Sequence, residues 1–318
     1  MQRLLRLCAG VATLGVLLLL LIDAVRASSG DQRPQFQTCV RSCTETECSE
    51  DLAWPLRLLL WTCESNCDYK CQRLLTERAQ QRNRWVHQYH GKWPFVRLWG
   101  VQEPASVVFS LLNGYMHVKS YRKVRGELPR AHPMRRWLSV FAVLGSWSWL
   151  CSAIFHTRDF PLTEKLDYFS AGLNVLYIFF LGTVRMLRLR DWRQTRIVAV
   201  LCAIPYLLHV GYLSLVKFDY GYNMMANAMV GLLSNVVWLV VAAQAYGNGQ
   251  PKWWKPAVLI VLTDLAFSLE AFDFPPVLDT FDAHSLWHAA TIPIVGHWYD
   301  YLIYDAKWDV QLEKLRKA

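Results

Sequence analysis

Residues 137–156 read WLSVFAVLGSWSWLCSAIFH, an apolar run long enough to cross a lipid bilayer as one α-helix. From about residue 101 onward, similar runs recur with short polar breaks between them. Seven helices are predicted, at residues 104–119, 137–156, 166–185, 196–216, 222–245, 255–271 and 283–303. The chain is therefore predicted to be an all-α membrane protein whose residues 101–303 form a bundle of seven transmembrane helices. The first and the sixth runs are short for a bilayer.

Basic residues follow alternate helices. The regions after the first, third and fifth helices, together with the C-terminal tail, hold 18 Lys and Arg residues, whereas the other loops hold three. By the positive-inside rule, the larger set faces the cytosol. The tail, residues 304–318, is therefore predicted to be cytosolic and the N-terminus luminal. This distribution accounts for the formal net charge of +9, so no nucleic-acid partner is predicted.

The N-terminus has the organisation of a secretory signal peptide. Arg3 and Arg6 precede the apolar stretch 7–22, and the small residues Val25 and Ala27 follow it. This pattern predicts a signal peptide over residues 1–27 with cleavage after Ala27. The alternative is an uncleaved first helix, but the apolar stretch is short for one.

Six cysteines lie close together behind the predicted signal peptide: Cys39, Cys43, Cys48, Cys63, Cys67 and Cys71. Oxidation in the secretory lumen favours disulfides, so residues 28–100 are predicted to be a luminal segment with three of them. A zinc ribbon fits less well because CxxC pairs are absent. Six cysteines allow 15 pairings, and their spacing does not choose between them.

Five polar residues are predicted to share the luminal ends of the helices. Ser152 and His156 are four residues apart, and so are His284 and His288, which places each pair on one helix face. A short turn between the second and third helices would bring Asp167 back beside His156. Ionisable groups at such positions are costly and often functional, although a lone membrane histidine is more often a packing residue.

Three imidazoles with nearby oxygen atoms are a typical ligand set for a catalytic zinc site. In such a site, water occupies the fourth coordination position of the metal. Asp167 could accept a proton from that water or orient a histidine, and Ser152 could stabilise an oxyanion. Such a site would suit hydrolysis of an ester or amide in a lipid. Asp282, just before His284, is either a histidine partner or a helix N-cap, and Asp264 and Glu270 are further carboxylates near the membrane.

Other hydrolytic schemes lack their motifs. The sequence contains no G-x-S-x-G and no HExxH, which disfavours an α/β-hydrolase lipase and a zincin protease. His90 is a rival luminal ligand, but no second ligand lies near it in the sequence.

Five long blocks make the chain resemble the family of post-GPI-attachment-to-proteins factor 3, within the CREST superfamily of seven-helix hydrolases. The blocks are HGKWPF (90–95), QEPASVVFSLLN (102–113), FHTRDFPLTEKLDYFSAG (155–172), FDYGYNMMANAMVGLL (218–233) and DFPPVLDTFDAHSLWHAATIP (273–293). The six-cysteine segment also matches in placement. The similarity runs from about residue 36 to 303.

The resemblance implies a function and a site. It implies a zinc-dependent, GPI-specific phospholipase A2 of the endoplasmic reticulum or Golgi membrane. Such an enzyme removes the sn-2 acyl chain from the lipid anchor of GPI-anchored proteins, and its other expected partners are membrane lipids. It implies that His156, His284 and His288 bind Zn²⁺ and that Ser152 and Asp167 are catalytic. Two alternatives stay open. One is a ceramidase-type lipid amidase, and the other is a seven-helix receptor or lipid-binding protein with structural zinc.

Overall fold

The computed structural model describes residues 29–48 and 51–317, so the predicted signal peptide, residues 1–27, lies outside the described residues. The described ranges are helical and contain no β-strand, only three isolated β-bridges. The helices are α1 Pro34–Glu47, α2 Trp54–Leu58, α3 Cys63–Gln81, α4 Pro104–Glu127, α5 Pro133–Thr157, α6 Pro161–Met186, α7 Trp192–Leu215, α8 Tyr220–Gly247, α9 Lys255–Phe267, a 3₁₀ turn Ser268–Ala271, and α10 Ala283–Lys317.

Each of the seven predicted runs coincides with a helix, α4 to α10, but the helices are longer than most of the runs. Pro104, Pro133 and Pro161 occupy the first helical position of α4, α5 and α6, where a missing N–H costs nothing. At the other end, α4 and α10 continue as polar helices well beyond their apolar parts.

Four helices, α5 to α8, are long and apolar enough to span a membrane. The other three do not meet that standard. α4 carries polar side chains on its buried face, including Ser106, Ser110 and Asn113, and α9 has only 13 residues. Polar residues that face a protein interior lower the hydropathy of a helix without exposing it to lipid. The seven-span count therefore stays a prediction.

The bundle places α4 between α5 and α10, and α6 between α5 and α8, while α9 packs on α8 and α10. Its core includes Leu138, Leu181, Trp238 and Tyr299, each at most 1% exposed. α7 packs against α6, and its apolar side chains point outward, among them Ile197, Leu201 and Leu208. An apolar outer surface of this kind fits a lipid environment.

The predicted three disulfides are confirmed, and the structure supplies their pairing. They join Cys39 to Cys71, Cys43 to Cys67 and Cys48 to Cys63, in nested order. This nesting ties α1 to α3 side by side, because Cys39 and Cys43 lie one helical turn apart, as do Cys67 and Cys71.

The cysteine-rich segment rests on the end of the bundle where α4 and α10 begin. Arg73 of α3 donates to the backbone oxygen of Pro94 at 2.7 Å and pairs with Asp279 at 3.1 Å. Trp93 Nε1 donates to Asp273 at 2.6 Å. Asp273 and Asp279 belong to the connection between the 3₁₀ turn and α10, so the segment is fastened to the part of the chain that precedes His284.

Candidate metal centre

Three helices, α5, α6 and α10, bring the five predicted polar residues to one end of the bundle. His156 lies in the last turn of α5, and His284 and His288 lie in the first turns of α10. Asp282 accepts from the backbone N–H of Ser285 at 2.8 Å, and the Ser285 hydroxyl accepts from the backbone N–H of Asp282 at 3.0 Å. This reciprocal capping box identifies Asp282 as the N-cap of α10, and it fixes the start of the helix that carries both histidines.

The three predicted histidines form one cluster. Each offers a ring nitrogen, and these atoms all lie within 4.8 Å of one another. The Nε2 atoms of His156 and His284 are 3.3 Å apart. The ring centre of His288 is 5.1 Å from that of His156 and 4.5 Å from that of His284. His156 and His288 are only 2% and 3% exposed, whereas the His284 side chain is 37% exposed, so solvent reaches the cluster on the His284 side.

Two buried carboxylates hold two of the rings. Glu103, which precedes α4, accepts from His156 Nδ1 at 2.7 Å, and Glu270 of the 3₁₀ turn accepts from His284 Nδ1 at 2.5 Å. Burial alone would raise the pKa of Glu103, but Lys92 at 2.7 Å and His156 together lower it well below its usual range. Glu103 is therefore a carboxylate and can only accept, so the proton of His156 must sit on Nδ1.

The third ring is held by one hydroxyl and an indole. Ser110 of α4 contacts His288 Nδ1 at 3.0 Å and the Ser152 hydroxyl at 3.2 Å. Trp149 packs edge-on against His288 with ring centres 5.1 Å apart, and Asn113 donates to the His288 backbone oxygen at 2.8 Å. All three histidines thus have a fixed Nδ1 side, which leaves each Nε2 as the atom free for a ligand.

The residues fit a metal ion. With both Nδ1 atoms protonated, the neutral rings of His156 and His284 present two Nε2 lone pairs to each other at 3.3 Å, a contact that needs a cation or a proton between them. In a tetrahedral zinc site with Zn–N bonds of about 2.0–2.1 Å, two nitrogens are about 3.3–3.4 Å apart. Carboxylate partners on the opposite ring nitrogen are also usual for metal-binding histidines. The other group of candidate ligands, Cys48, Cys63 and Cys67, is occupied by disulfide bonding.

Neither Ser152 nor Asp167 makes a hydrogen bond to a histidine ring of the cluster in the described structure. Ser152 lies one turn before His156 and touches the cluster through Ser110, so its contact with His288 is indirect. Asp167 of α6 is half-buried and lies within electrostatic range of His156 and His284. No side chain in the described ranges donates a hydrogen bond to its carboxylate, which leaves Asp167 free to accept a proton.

Sequence reasoning missed Glu103 and Ser110, and it noted Glu270 only as a carboxylate near the membrane. A signal for the first two was present. Glu103 directly precedes Pro104, and Ser110 follows two turns later on the same helical face, both at the start of a predicted membrane helix. A carboxylate beside a membrane helix is costly enough to indicate a partner.

Comparison with known proteins identifies the family of the chain. The model of the Per1-like family matches residues 53–306, a region that includes Glu103, Glu270 and all three histidines. The chain belongs to the Per1-like family. No solved structure matches it.

Curated Per1-like relatives cover nearly the whole chain. The chain is 38% identical to "Protein PER1 homolog" of Schizosaccharomyces pombe, over 91% of each chain. It is 36% identical to "GPI-specific phospholipase A2-like PGAP3" of Danio rerio, over 93% of this chain and 96% of the relative. It is 37% identical to "Post-GPI attachment to proteins factor 3" of Drosophila melanogaster, over 88% and 90%. The family resemblance seen in the sequence blocks is therefore confirmed.

Proposed function

We propose that this protein is a zinc-dependent GPI-specific phospholipase A2, which hydrolyses the sn-2 acyl ester of protein-bound GPI and leaves a lyso-GPI anchor. The observation that carries the proposal is the convergence of ring nitrogens from three histidines, whose Nδ1 atoms contact Glu103, Glu270 and Ser110. The substrate is inferred from the relatives, which include GPI-specific phospholipase A2-like proteins.

The proposed topology places this site where such a substrate would be. Seven membrane spans with a luminal N-terminus and a cytosolic tail are supported by the 18-to-3 distribution of basic residues and by three disulfides on the histidine side of the bundle. GPI-anchored proteins and their glycans face the lumen of the endoplasmic reticulum or Golgi. The histidines would then meet the lipid at the luminal leaflet.

In the proposed mechanism His156, His284 and His288 would hold Zn²⁺, and Glu103 and Glu270 would keep the rings of His156 and His284 oriented. A bound Zn²⁺ would act as a Lewis acid, making a water molecule easier to deprotonate and polarising an ester carbonyl.

The remaining chemistry falls to the side chains. Asp167 accepts the proton of the attacking water and returns it to the departing glycerol oxygen. The Ser152 hydroxyl donates a hydrogen bond to the carbonyl oxygen as negative charge develops on it. A bond forms between the water oxygen and the acyl carbon, the ester bond to the glycerol breaks, and a fatty acid is released.

The test is an assay of the purified full-length protein on a diacyl GPI-anchored protein. We expect release of sn-2 fatty acid that a zinc chelator abolishes and zinc restores, with near-stoichiometric zinc in active protein. His156→Ala and His284→Ala should lose activity, whereas His209→Ala should keep it, because His209 lies on α7 and contacts Asn223. Variants of the cluster that release fatty acid at the normal rate would overturn the proposal.

The same assay separates the two alternatives. A ceramidase-type amidase would release fatty acid from ceramide rather than from GPI. A receptor or lipid-binding protein with structural zinc would lose thermal stability on chelation and hydrolyse neither lipid.

A further inference from the structure

A second feature lies beside the metal centre. A cavity of about 190 Å³ opens between the cysteine-rich segment and the turn that joins α5 to α6. Its lining includes Trp61, Tyr69, Arg97, Gln102 and Arg158. We call this cavity the arginine cleft.

The two arginines of the cleft have unused donors. Arg97 Nη1 and Arg158 Nε are buried and make no hydrogen bond with any described residue. Neither guanidinium has a carboxylate within ion-pair distance in the described ranges. The other cations of the cleft are paired, since Lys92 contacts Glu103 and Asp159, and His90 contacts Asp68 at 3.0 Å. The carboxylates of the cleft, Asp68 and Asp159, are engaged by His90 and Lys92, so one buried N–H of each arginine stays without an acceptor, which is costly unless a ligand supplies one.

Aromatic rings hold both guanidinium groups in place. The Arg97 and Arg158 guanidinium carbons lie 4.0 and 3.8 Å from the centre of the Trp61 ring, and Arg97 lies 3.3 Å from the Tyr69 ring. Trp61 is anchored through Nε1, which donates to the backbone oxygen of Gly100 at 2.8 Å. Burial lowers the pKa of Arg97 to about 10, and nearby Arg158 adds to that decrease. The positive charge is therefore fixed in position and poorly solvated.

The cleft adjoins the histidine cluster. Arg158 comes two residues after His156, and the backbone N–H of Gln102 donates to the Thr157 oxygen at 3.0 Å. In a diacyl phosphoglyceride, only two carbon atoms separate the sn-2 ester oxygen from the phosphate ester oxygen. A phosphate bound in the cleft would therefore keep the sn-2 ester close to the cleft, whose lining residue Lys92 contacts Glu103, the partner of His156.

We propose that Arg97, Arg158 and Trp61 form a binding site for the phosphodiester of the lipid headgroup. Planar guanidinium groups match phosphate oxygens with two parallel hydrogen bonds, which a lysine does not provide. Identifying that phosphodiester as the inositol phosphate of GPI rests on the function proposed above. The cleft would then bind the headgroup and present the sn-2 ester.

The test measures binding separately from hydrolysis. Calorimetric titration of the full-length protein with glycerophosphoinositol, inorganic phosphate and myo-inositol compares a headgroup phosphodiester, a free anion and an uncharged ring. Arg97→Gln and Arg158→Gln remove the proposed contacts. Arg84→Gln is the matched control, because Arg84 is exposed on the same segment, outside the cleft lining. If Arg97→Gln does not fold, Arg97→Lys replaces it, because lysine keeps the positive charge but cannot make two parallel hydrogen bonds to a phosphate.

We expect glycerophosphoinositol to bind at least tenfold more tightly than either other probe. Arg97→Gln and Arg158→Gln should each weaken that binding at least tenfold, with Arg84→Gln unchanged. His156→Ala should bind normally while losing hydrolysis. Equal binding of inorganic phosphate would identify a free-phosphate site and overturn the headgroup assignment, as would normal binding by both arginine variants. If binding depends on the two arginines but the protein hydrolyses no GPI, the phosphodiester site would be supported and the proposed function refuted.

Discussion

Replacing Glu103 with Gln tests how the metal centre is built. The Glu103 carboxylate is 5% exposed and accepts two hydrogen bonds, from Lys92 Nζ and from His156 Nδ1, each at 2.7 Å. A glutamine has one acceptor oxygen, so its NH₂ group must face one of these two donors. Lys92 keeps a second partner in Asp159 at 3.0 Å, whereas His156 Nδ1 has no other partner in the described ranges.

The expected loss follows from that asymmetry. Removing the carboxylate partner of a ligating histidine typically costs 10–100-fold in metal affinity, or about 1.4–2.8 kcal/mol. The free energy of unfolding should fall by a similar amount, about 1–3 kcal/mol, because Lys92 stays paired and one neutral hydrogen bond can remain. Glu103→Gln should therefore fold, hold zinc more weakly and hydrolyse less lipid at limiting zinc.

The assay is zinc competition against a chelator of known affinity at pH 7, with thermal melting measured on the same samples. Glu127→Gln is the matched control, because Glu127 ends the same helix, α4, and forms an exposed ion pair with Lys307. A change in zinc affinity smaller than threefold in Glu103→Gln would refute the claim that this carboxylate orients a metal ligand.

Three further predictions concern other parts of the molecule. Asp167→Asn should retain zinc but lose about 10²–10⁴-fold in turnover, measured as kcat for fatty-acid release, and unchanged kcat would remove Asp167 from the proton transfer. Replacing Cys39 and Cys71 with Ala should lower stability by about 2–4 kcal/mol, seen as a lower Tm in a non-reducing melt, and an unaltered Tm would contradict it. Burial alone would raise the pKa of Asp279, but the hydrogen bond from Arg73 lowers that pKa below its usual value. The Asp279 carboxylate therefore stabilises the fold at neutral pH, and this stabilisation disappears as the pH falls through the pKa of the folded state. The Asp279→Asn variant should thus have a lower Tm than the wild type at pH 7 and the same Tm in acid. A difference in Tm that does not change with pH would count against this ion pair.

The positions of the bundle helices could be predicted because long apolar runs between polar breaks have few alternatives. The clustering of His156, His284 and His288 also followed from the sequence, since i, i+4 spacing fixes a helix face and alternating helix direction brings those faces to one end. Both arguments use only helix geometry and the order of the elements.

Other features depend on side-chain packing, which periodicity does not describe. The pairing of Cys39 with Cys71 is one of 15 that the spacing permits. The roles of Glu103 and Ser110 arise from contacts between residues far apart in the chain. The polar ends of α4 and α10 were missed because apolar runs mark only the part of a helix suited to lipid. The polar residues on the buried face of α4 also lower the hydropathy of that helix, so its sequence gives only weak support to a seventh membrane span.

The fastening of the cysteine-rich segment to the bundle has a consequence for biogenesis. Arg73 and Trp93 hold Asp279 and Asp273, which lie in the connection bounded by Glu270 on one side and His284 on the other. Reduction of the disulfides would loosen α3, then this connection, and with it two parts of the histidine cluster. Under the proposed function, the protein should therefore bind zinc only after oxidative folding. A reductant should then inactivate it, although no cysteine in the described chain contacts the three histidines.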